Sequence, residues 1–137
     1  MNNKEDFVTF KIAKELKEKG FREECIAYYL TDGELLYNRD QYRGGDYKSL
    51  LRSYNSLPKN PIGCEQIDAP TISQVLKWLR EDKGIHICII YSIAPFTNWE
   101  YEIVEIDGVI YANADDGYDT YDEAALAGIE YVLNNFI

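Results

Sequence analysis

The chain has 137 residues, of which 46% are hydrophobic and 28% are charged, and this composition predicts one folded domain with its own core. The longest apolar run, 87–91, is too short to cross a bilayer, and the residues after Met1 lack a signal peptide's apolar stretch, so we expect a cytoplasmic protein without a membrane partner. The net charge is −10, and residues 84–137 contain ten acids but no Lys or Arg, which argues against direct nucleic-acid binding by the C-terminal half.

The first predicted element is an amphipathic helix that begins after Thr9 and ends at Gly20. Thr is a favoured N-cap, and Gly is the favoured residue just beyond a helix C-terminus. Between them, Ile12, Ala13 and Leu16 recur at helical spacing. One face of this helix is therefore expected to be buried.

A β-hairpin is predicted next. Residues 25–30 and 35–37 are rich in apolar and aromatic side chains, which is typical of strands. Asp32-Gly33 between them is a strong two-residue turn signal.

Residues 38–67 form the least regular segment, and connections of this length often carry function. Its first part, 38–60, has five basic and two acidic residues together with several tyrosines. Tyr and Arg are enriched at protein interfaces, and the same two residue types stack on single-stranded bases. An ordinary loop whose tyrosines cover the core is the other interpretation. The predicted binding residues are Arg39, Tyr42, Arg43, Tyr47, Arg52 and Tyr54.

The second helix begins at the capping box 71–74 and ends at Gly84. A three-stranded meander follows over 85–93, 99–106 and 109–112. Its last two strands are joined by Asp107-Gly108, which is a hairpin signal, and tight turns make neighbouring strands antiparallel.

The third helix opens with a second capping box at Thr120. Gly128 lies inside this helix, where Gly costs about 1 kcal/mol relative to Ala, so a close approach to the sheet is expected there. The sequence thus predicts an α+β fold, in which an antiparallel sheet is covered by about three helices. The sheet combines the N-terminal hairpin with the C-terminal meander, in a single domain spanning 1–137.

Three blocks of sequence carry a family resemblance: FVT with AKELKEKGF and CIAYY, then the region 69–86, then YDTYDEA. In this order they resemble a family of small uncharacterised proteins encoded by Bacteroidetes-type bacteria and their phages or prophages. The resemblance implies an accessory role in a mobile element, and it implies no activity or catalytic residue. The last helix of this chain lacks the Lys or Arg usual in that family.

Few residues suggest chemistry. His86 is the only histidine, and it shares a strand face with Cys88, but two ligands at this spacing are a weak metal signal. Glu100 and Glu102 share another strand face, and paired carboxylates can act on a sugar. The acidic residues around Gly117 do not follow the spacing of a calcium loop. The sequence therefore predicts no catalytic residue, no cofactor and no metal site.

Three functions follow from these patterns. The leading one is a non-catalytic module that binds another protein through the Tyr/Arg segment. A second is an acidic mimic of nucleic acid that inhibits a DNA-binding protein, and a third is a small enzyme that uses His86 or the Glu100/Glu102 pair. An exposed patch at Trp99 or Tyr101 would support a dimer.

Overall fold

The described residues form helices and antiparallel sheets, with runs of strands between the helices, which confirms the predicted α+β class. The computed structural model describes residues 6–38, 51–57, 65–93, 97–105, 108, 110–112 and 117–137. These residues divide into two compact units, a first unit of 1–71 and a second unit of 72–137.

The arrangement of the sheet differs from the prediction, because the hairpin and the meander belong to two separate three-stranded sheets. The hairpin acquires a third strand at Gln66–Asp68, which pairs antiparallel with the strand Ala27–Leu30. This strand falls at the end of the segment that was predicted to be irregular. It has only three residues, too few to show the alternating pattern from which a strand is recognised.

In the first unit, helix α1 begins after Thr9, whose hydroxyl accepts a hydrogen bond from the Ile12 amide, and Gly20 follows the helix with φ +91°. Both predicted boundaries are therefore confirmed. The hairpin turn is one residue longer than predicted, because the Leu30 amide bonds the Glu34 carbonyl and Gly33 takes a positive φ. The elements are α1 Phe10–Glu18, β1 Ala27–Leu30, β2 Leu35–Tyr37, a 3-10 turn Tyr54–Ser56 and β3 Gln66–Asp68.

The core of the first unit forms between α1 and the sheet. Leu16 and Phe21 are fully buried there, and Ala27 and Tyr29 contribute from the inward face of β1. The Tyr29 hydroxyl donates a 2.6 Å hydrogen bond to the Val8 carbonyl, so this buried polar group is satisfied.

The second unit contains the meander and the two remaining helices. In the strand pair β4–β5, Ile87 lies opposite Ile103 and Tyr91 lies opposite Trp99. Ile87 and Ile103 are buried, and both α2 and α3 contact β4. The elements are α2 Ile72–Asp82, β4 Ile85–Ser92, β5 Asn98–Glu105, β6 Ile110–Ala112 and α3 Tyr121–Asn135.

Gly128 brings α3 close to the sheet of the second unit, as predicted. A Cβ atom at this position would lie 3.0 Å from Ile87 Cγ2 and 3.2 Å from Tyr101 Cγ. A larger side chain would therefore have to displace buried neighbours. Within the described residues, no helix has the length and apolar character required to cross a membrane.

Candidate functional site

Two groups of contacting aromatic rings, linked by the backbone pairing of Trp99 with Tyr118, form the feature of the second unit that is best suited to binding. We call it the aromatic cluster. It is built from the end of β4, the start of β5, the residues just before α3, and α3 itself. Its members are Tyr91, Trp99, Tyr101, Tyr118, Tyr121, Tyr131 and Phe136.

Trp99 is the centre of one arm of the cluster. Tyr91 lies directly opposite it on the neighbouring strand, with 4.9 Å between the ring centroids. Tyr121, the first residue of α3, meets the indole edge-on at 5.6 Å. On the other side of β5, the backbones of Trp99 and Tyr118 exchange two hydrogen bonds of 2.8 Å. The position of the indole is thus fixed by backbone pairing as well as by ring contacts.

Tyr101 anchors the other arm. It is only 5% exposed, and its ring centroid lies 6.2 Å from that of Tyr118 and 6.3 Å from that of Tyr131. Phe136 then extends this arm, 5.9 Å from Tyr131. The buried Tyr101 ring therefore supports the partly exposed rings of Tyr118 and Tyr131 from below.

The outer rings of the cluster are accessible. Tyr91, Tyr121 and Tyr131 are 49%, 43% and 42% exposed, and Ile93, just beyond β4, is 77% exposed. Isolated exposed apolar residues need no explanation, but exposed rings such as Tyr91 and Tyr121 that pack on the same indole do. An exposed patch was expected at Trp99 or Tyr101, but Tyr101 is buried and Trp99 is half-buried, and neighbouring tyrosines provide the exposed surface.

The cluster adjoins the acidic start of α3. Thr120 caps the helix by accepting a 3.1 Å hydrogen bond from the Glu123 amide, and the Glu123 carboxylate accepts one of 3.3 Å from the Asp119 amide. The predicted N-cap is therefore confirmed. Asp119 and Glu123 are both exposed, so their negative charges lie at the surface beside Tyr121.

The first unit contains a different kind of site, a buried polar network around Asp68. One Asp68 oxygen accepts a 3.0 Å hydrogen bond from the Tyr54 amide, and the other accepts one of 2.9 Å from the Asn55 amide. Asn55 in turn donates from its side chain to the Phe21 carbonyl and accepts from the Asp68 amide. Asp68 is fully buried and Asn55 nearly so. Every one of these contacts fixes the path of the chain at 53–57.

Burial controls the ionisation of this network. Desolvation raises the pKa of Asp68 to about 6, although the two backbone amides and the charge of Lys17 oppose this rise. Burial also raises the pKa of the Cys25 thiol far above its ordinary value, with further contributions from Asp68 and Glu23. A thiol held in its protonated form is a poor nucleophile, so the network is not a site for cysteine catalysis.

Of the predicted binding residues, Arg39, Tyr42, Arg43 and Tyr47 lie outside the described residues. The other two are part of the packing around the polar network. The Tyr54 ring lies 4.9 Å from that of Tyr28, and the backbone of Arg52 pairs with that of Cys25. Both side chains are half-buried. The Tyr/Arg binding site therefore stays a prediction. Its two described residues, Arg52 and Tyr54, pack against other residues of the first unit.

The residues of the alternative enzyme hypothesis, His86 and the Glu100/Glu102 pair, share one face of the second sheet with Cys88. His86 is exposed, Cys88 lies opposite Glu102, and Ile90 lies opposite Glu100. Burial and the nearby charge of Glu102 both raise the pKa of the Cys88 thiol, which opposes its use as a nucleophile. In the part of the chain that the structure describes, no three His, Cys, Asp or Glu side chains are grouped so as to hold a metal ion.

The described carboxylates of residues 84–137 do not form one row. Glu100 and Glu102 point to one face of the sheet, and strand alternation places Glu105 on the other. Asp119 and Glu123 belong to the start of α3. A mimic of nucleic acid requires carboxylates spaced like phosphates along one surface, and this distribution disfavours it.

Only part of the aromatic cluster could be predicted from the sequence. Counting outward from the predicted strand ends at 93 and 99 would place Ile93 opposite Trp99, whereas the structure places Tyr91 there. Strand alternation predicts that Tyr91 and Trp99 lie on the same face, but not that they are direct partners. The contact of Trp99 with Tyr121 joins a strand to a helix, and no local spacing predicts it. Comparisons with family models, curated proteins and solved structures find no match for this chain.

Proposed function

We propose that this protein is a non-catalytic interaction module that binds another protein through the aromatic cluster. The observation that supports the proposal is that Tyr91 and Tyr121 each contact the ring of Trp99 while both tyrosines remain nearly half exposed. Aromatic side chains give a large contact area with little loss of conformational entropy, and Tyr adds a polar end. An accessory role of the kind that the family resemblance implies is compatible with such a module.

Two features make the cluster suited to binding rather than to folding alone. Its base is rigid, because Trp99 is held by backbone hydrogen bonds to Tyr118 and Tyr101 is buried under α3. Its outer rings retain surface that a partner could bury. A preorganised surface loses less entropy on association than a mobile one, so more of the contact energy contributes to affinity.

The proposal is tested by selecting peptide ligands from a displayed random library on the immobilised wild-type protein. The selected peptides are then measured against the double variant Tyr91→Ser/Tyr121→Ser. We expect their affinity to fall by at least about tenfold, because truncating hot-spot aromatics costs about 2 kcal/mol or more. Circular dichroism should show an unchanged fold, since both side chains are exposed.

Tyr37→Ser is the matched control, because Tyr37 is a 50% exposed tyrosine that belongs to the first unit. It should leave peptide affinity unchanged. If the selected peptides bind the double variant as well as the wild type, the cluster is not the binding site. The predicted Tyr/Arg site is tested on the same peptides by replacing Tyr42, Arg43, Tyr47 and Arg52 together. Loss of binding in that variant alone would place the interface there.

A further inference from the structure

The charges beside the aromatic cluster indicate the chemistry of its partner, and this step rests on the binding function proposed above. Asp119 and Glu123 are exposed on either side of Tyr121 in the sequence. Residues 84–137, which supply every ring of the cluster, include no Lys or Arg. The accessible rings are thus accompanied by negative charge that this stretch of the chain cannot neutralise.

We propose that the rings of Tyr91, Trp99 and Tyr121 bind an arginine or lysine side chain from a basic segment of the partner protein. A cation placed over an aromatic face is attracted by the ring quadrupole, most strongly over Trp. The carboxylates of Asp119 and Glu123 pair with neighbouring cations of the same segment. The positive end of the α3 dipole amounts to about half a charge, so the acidic side chains at this helix end outweigh it.

Two other occupants fit the charge pattern less well. Stacking of single-stranded nucleic acid on aromatic rings also requires cations along the backbone, and residues 84–137 have none. A second copy of this chain would bring its own net charge of −10 and the same acidic helix start to the contact, which repulsion opposes. A basic segment is the occupant that both the rings and the carboxylates attract.

The test uses a fluorescently labelled arginine–glycine repeat peptide and its citrulline counterpart, which has the same shape but no charge. Binding to the full chain is followed by fluorescence anisotropy. We expect the arginine peptide to bind at least about fivefold more tightly, because a cation–π contact is worth about 1 kcal/mol. Trp99→Leu, which keeps an apolar side chain but removes the ring, should reduce this preference, and the part that remains is due to the carboxylates and the two tyrosines. Equal affinity for both peptides would overturn the proposal.

The contribution of the carboxylates is tested with Asp119→Asn/Glu123→Gln, since Gln at this position preserves the capping box. The matched control is Glu100→Gln/Glu102→Gln, which removes the same charge from the face of the second sheet that bears Cys88. We expect the first pair to weaken arginine-peptide binding by about fivefold in low salt and less in high salt. If both double variants weaken binding equally, the peptide responds to net charge alone. That result would contradict the proposed role of Asp119 and Glu123.

Failure of this inference is distinguishable from failure of the proposed function. If library-selected peptides lose affinity for Tyr91→Ser/Tyr121→Ser but contain few Arg or Lys residues, the cluster is a binding site with a non-basic partner. If the wild-type chain self-associates in sedimentation and Tyr91→Ser/Tyr121→Ser prevents it, the occupant is a second copy. Either result overturns the basic partner and retains the cluster as an interface.

Discussion

The two units of this protein place their polar and aromatic side chains in opposite ways. In the first unit, a carboxylate and an amide, Asp68 and Asn55, are buried and satisfied by backbone groups. In the second unit, large aromatic rings are left at the surface while the interior beneath α3 is apolar. Buried polar groups fix the course of a chain, whereas exposed rings offer area for association. The difference agrees with a role in the fold for the polar network and with the binding role proposed for the aromatic cluster.

We expect the largest effect from Asn55→Ala, which breaks the polar network. The Phe21 carbonyl and the Asp68 amide would each lose a buried partner, and an unsatisfied buried group costs about 1–3 kcal/mol. We expect the free energy of unfolding, measured by urea denaturation, to fall by about 4 kcal/mol. Ser56→Ala, at an exposed neighbouring position, should cost far less. A similar loss in both variants would mean that the network does not stabilise this segment.

The pH dependence of the free energy of unfolding tests the same polar network. The pKa of Asp68 is raised from 3.8 to about 6 in the folded protein, so the folded state holds this proton more tightly than the unfolded state does. Its contribution to stability is therefore complete below pH 4 and is lost as the pH rises through about 6. The loss is at most about 3 kcal/mol.

Carboxyl NMR titration should show a midpoint near 6 for Asp68. Asp68→Asn cannot titrate, so its unfolding free energy should change less than that of the wild type between pH 4 and pH 6. A wild-type midpoint below 4 would show that the backbone amides outweigh the desolvation of the carboxylate.

A smaller loss of stability is expected from overpacking the apolar interior of the second unit. Gly128→Val would place side-chain atoms against Ile87 and Tyr101, which a Cβ alone would already approach to 3.0 Å and 3.2 Å. Overpacking of this kind costs about 1–3 kcal/mol, so we expect a loss of about 2 kcal/mol in urea denaturation. Ala127→Val has the same β-branched residue one position earlier, where burial is incomplete. Val is a better helix former than Gly and a poorer one than Ala, so propensity alone would make Gly128→Val the less harmful variant. A loss in Gly128→Val no larger than that in Ala127→Val would contradict the close approach.

The smallest expected effect is at the start of α3. Thr120→Ala removes the side-chain oxygen that accepts from the Glu123 amide, and loss of an N-cap typically costs about 1 kcal/mol. Thermal unfolding should show a correspondingly small decrease in Tm. Thr120→Ser retains the hydroxyl and should restore most of the stability. No rescue by Ser would mean that the methyl group of Thr120 matters more than its cap.

Local signals in the sequence determined most of the elements. Thr9 and Thr120 cap their helices, and Gly20 and Gly33 take the positive φ values that turns and helix ends require. These features depend on neighbours within a few residues, so they can be predicted from spacing alone. Gly128 was also interpretable, because a glycine inside a helix indicates a nearby neighbour that excludes a side chain.

Only the tertiary structure decided the division into two sheets and the placement of both sites. Gln66–Asp68 becomes a strand by pairing with β1, more than thirty residues earlier in the chain, and its sequence is too short to specify a partner. Asp68 meets Tyr54 and Asn55, and Trp99 meets Tyr121, through contacts between different elements. Burial and ring contact of this kind depend on which surfaces the folded chain brings together, and local sequence does not contain that information.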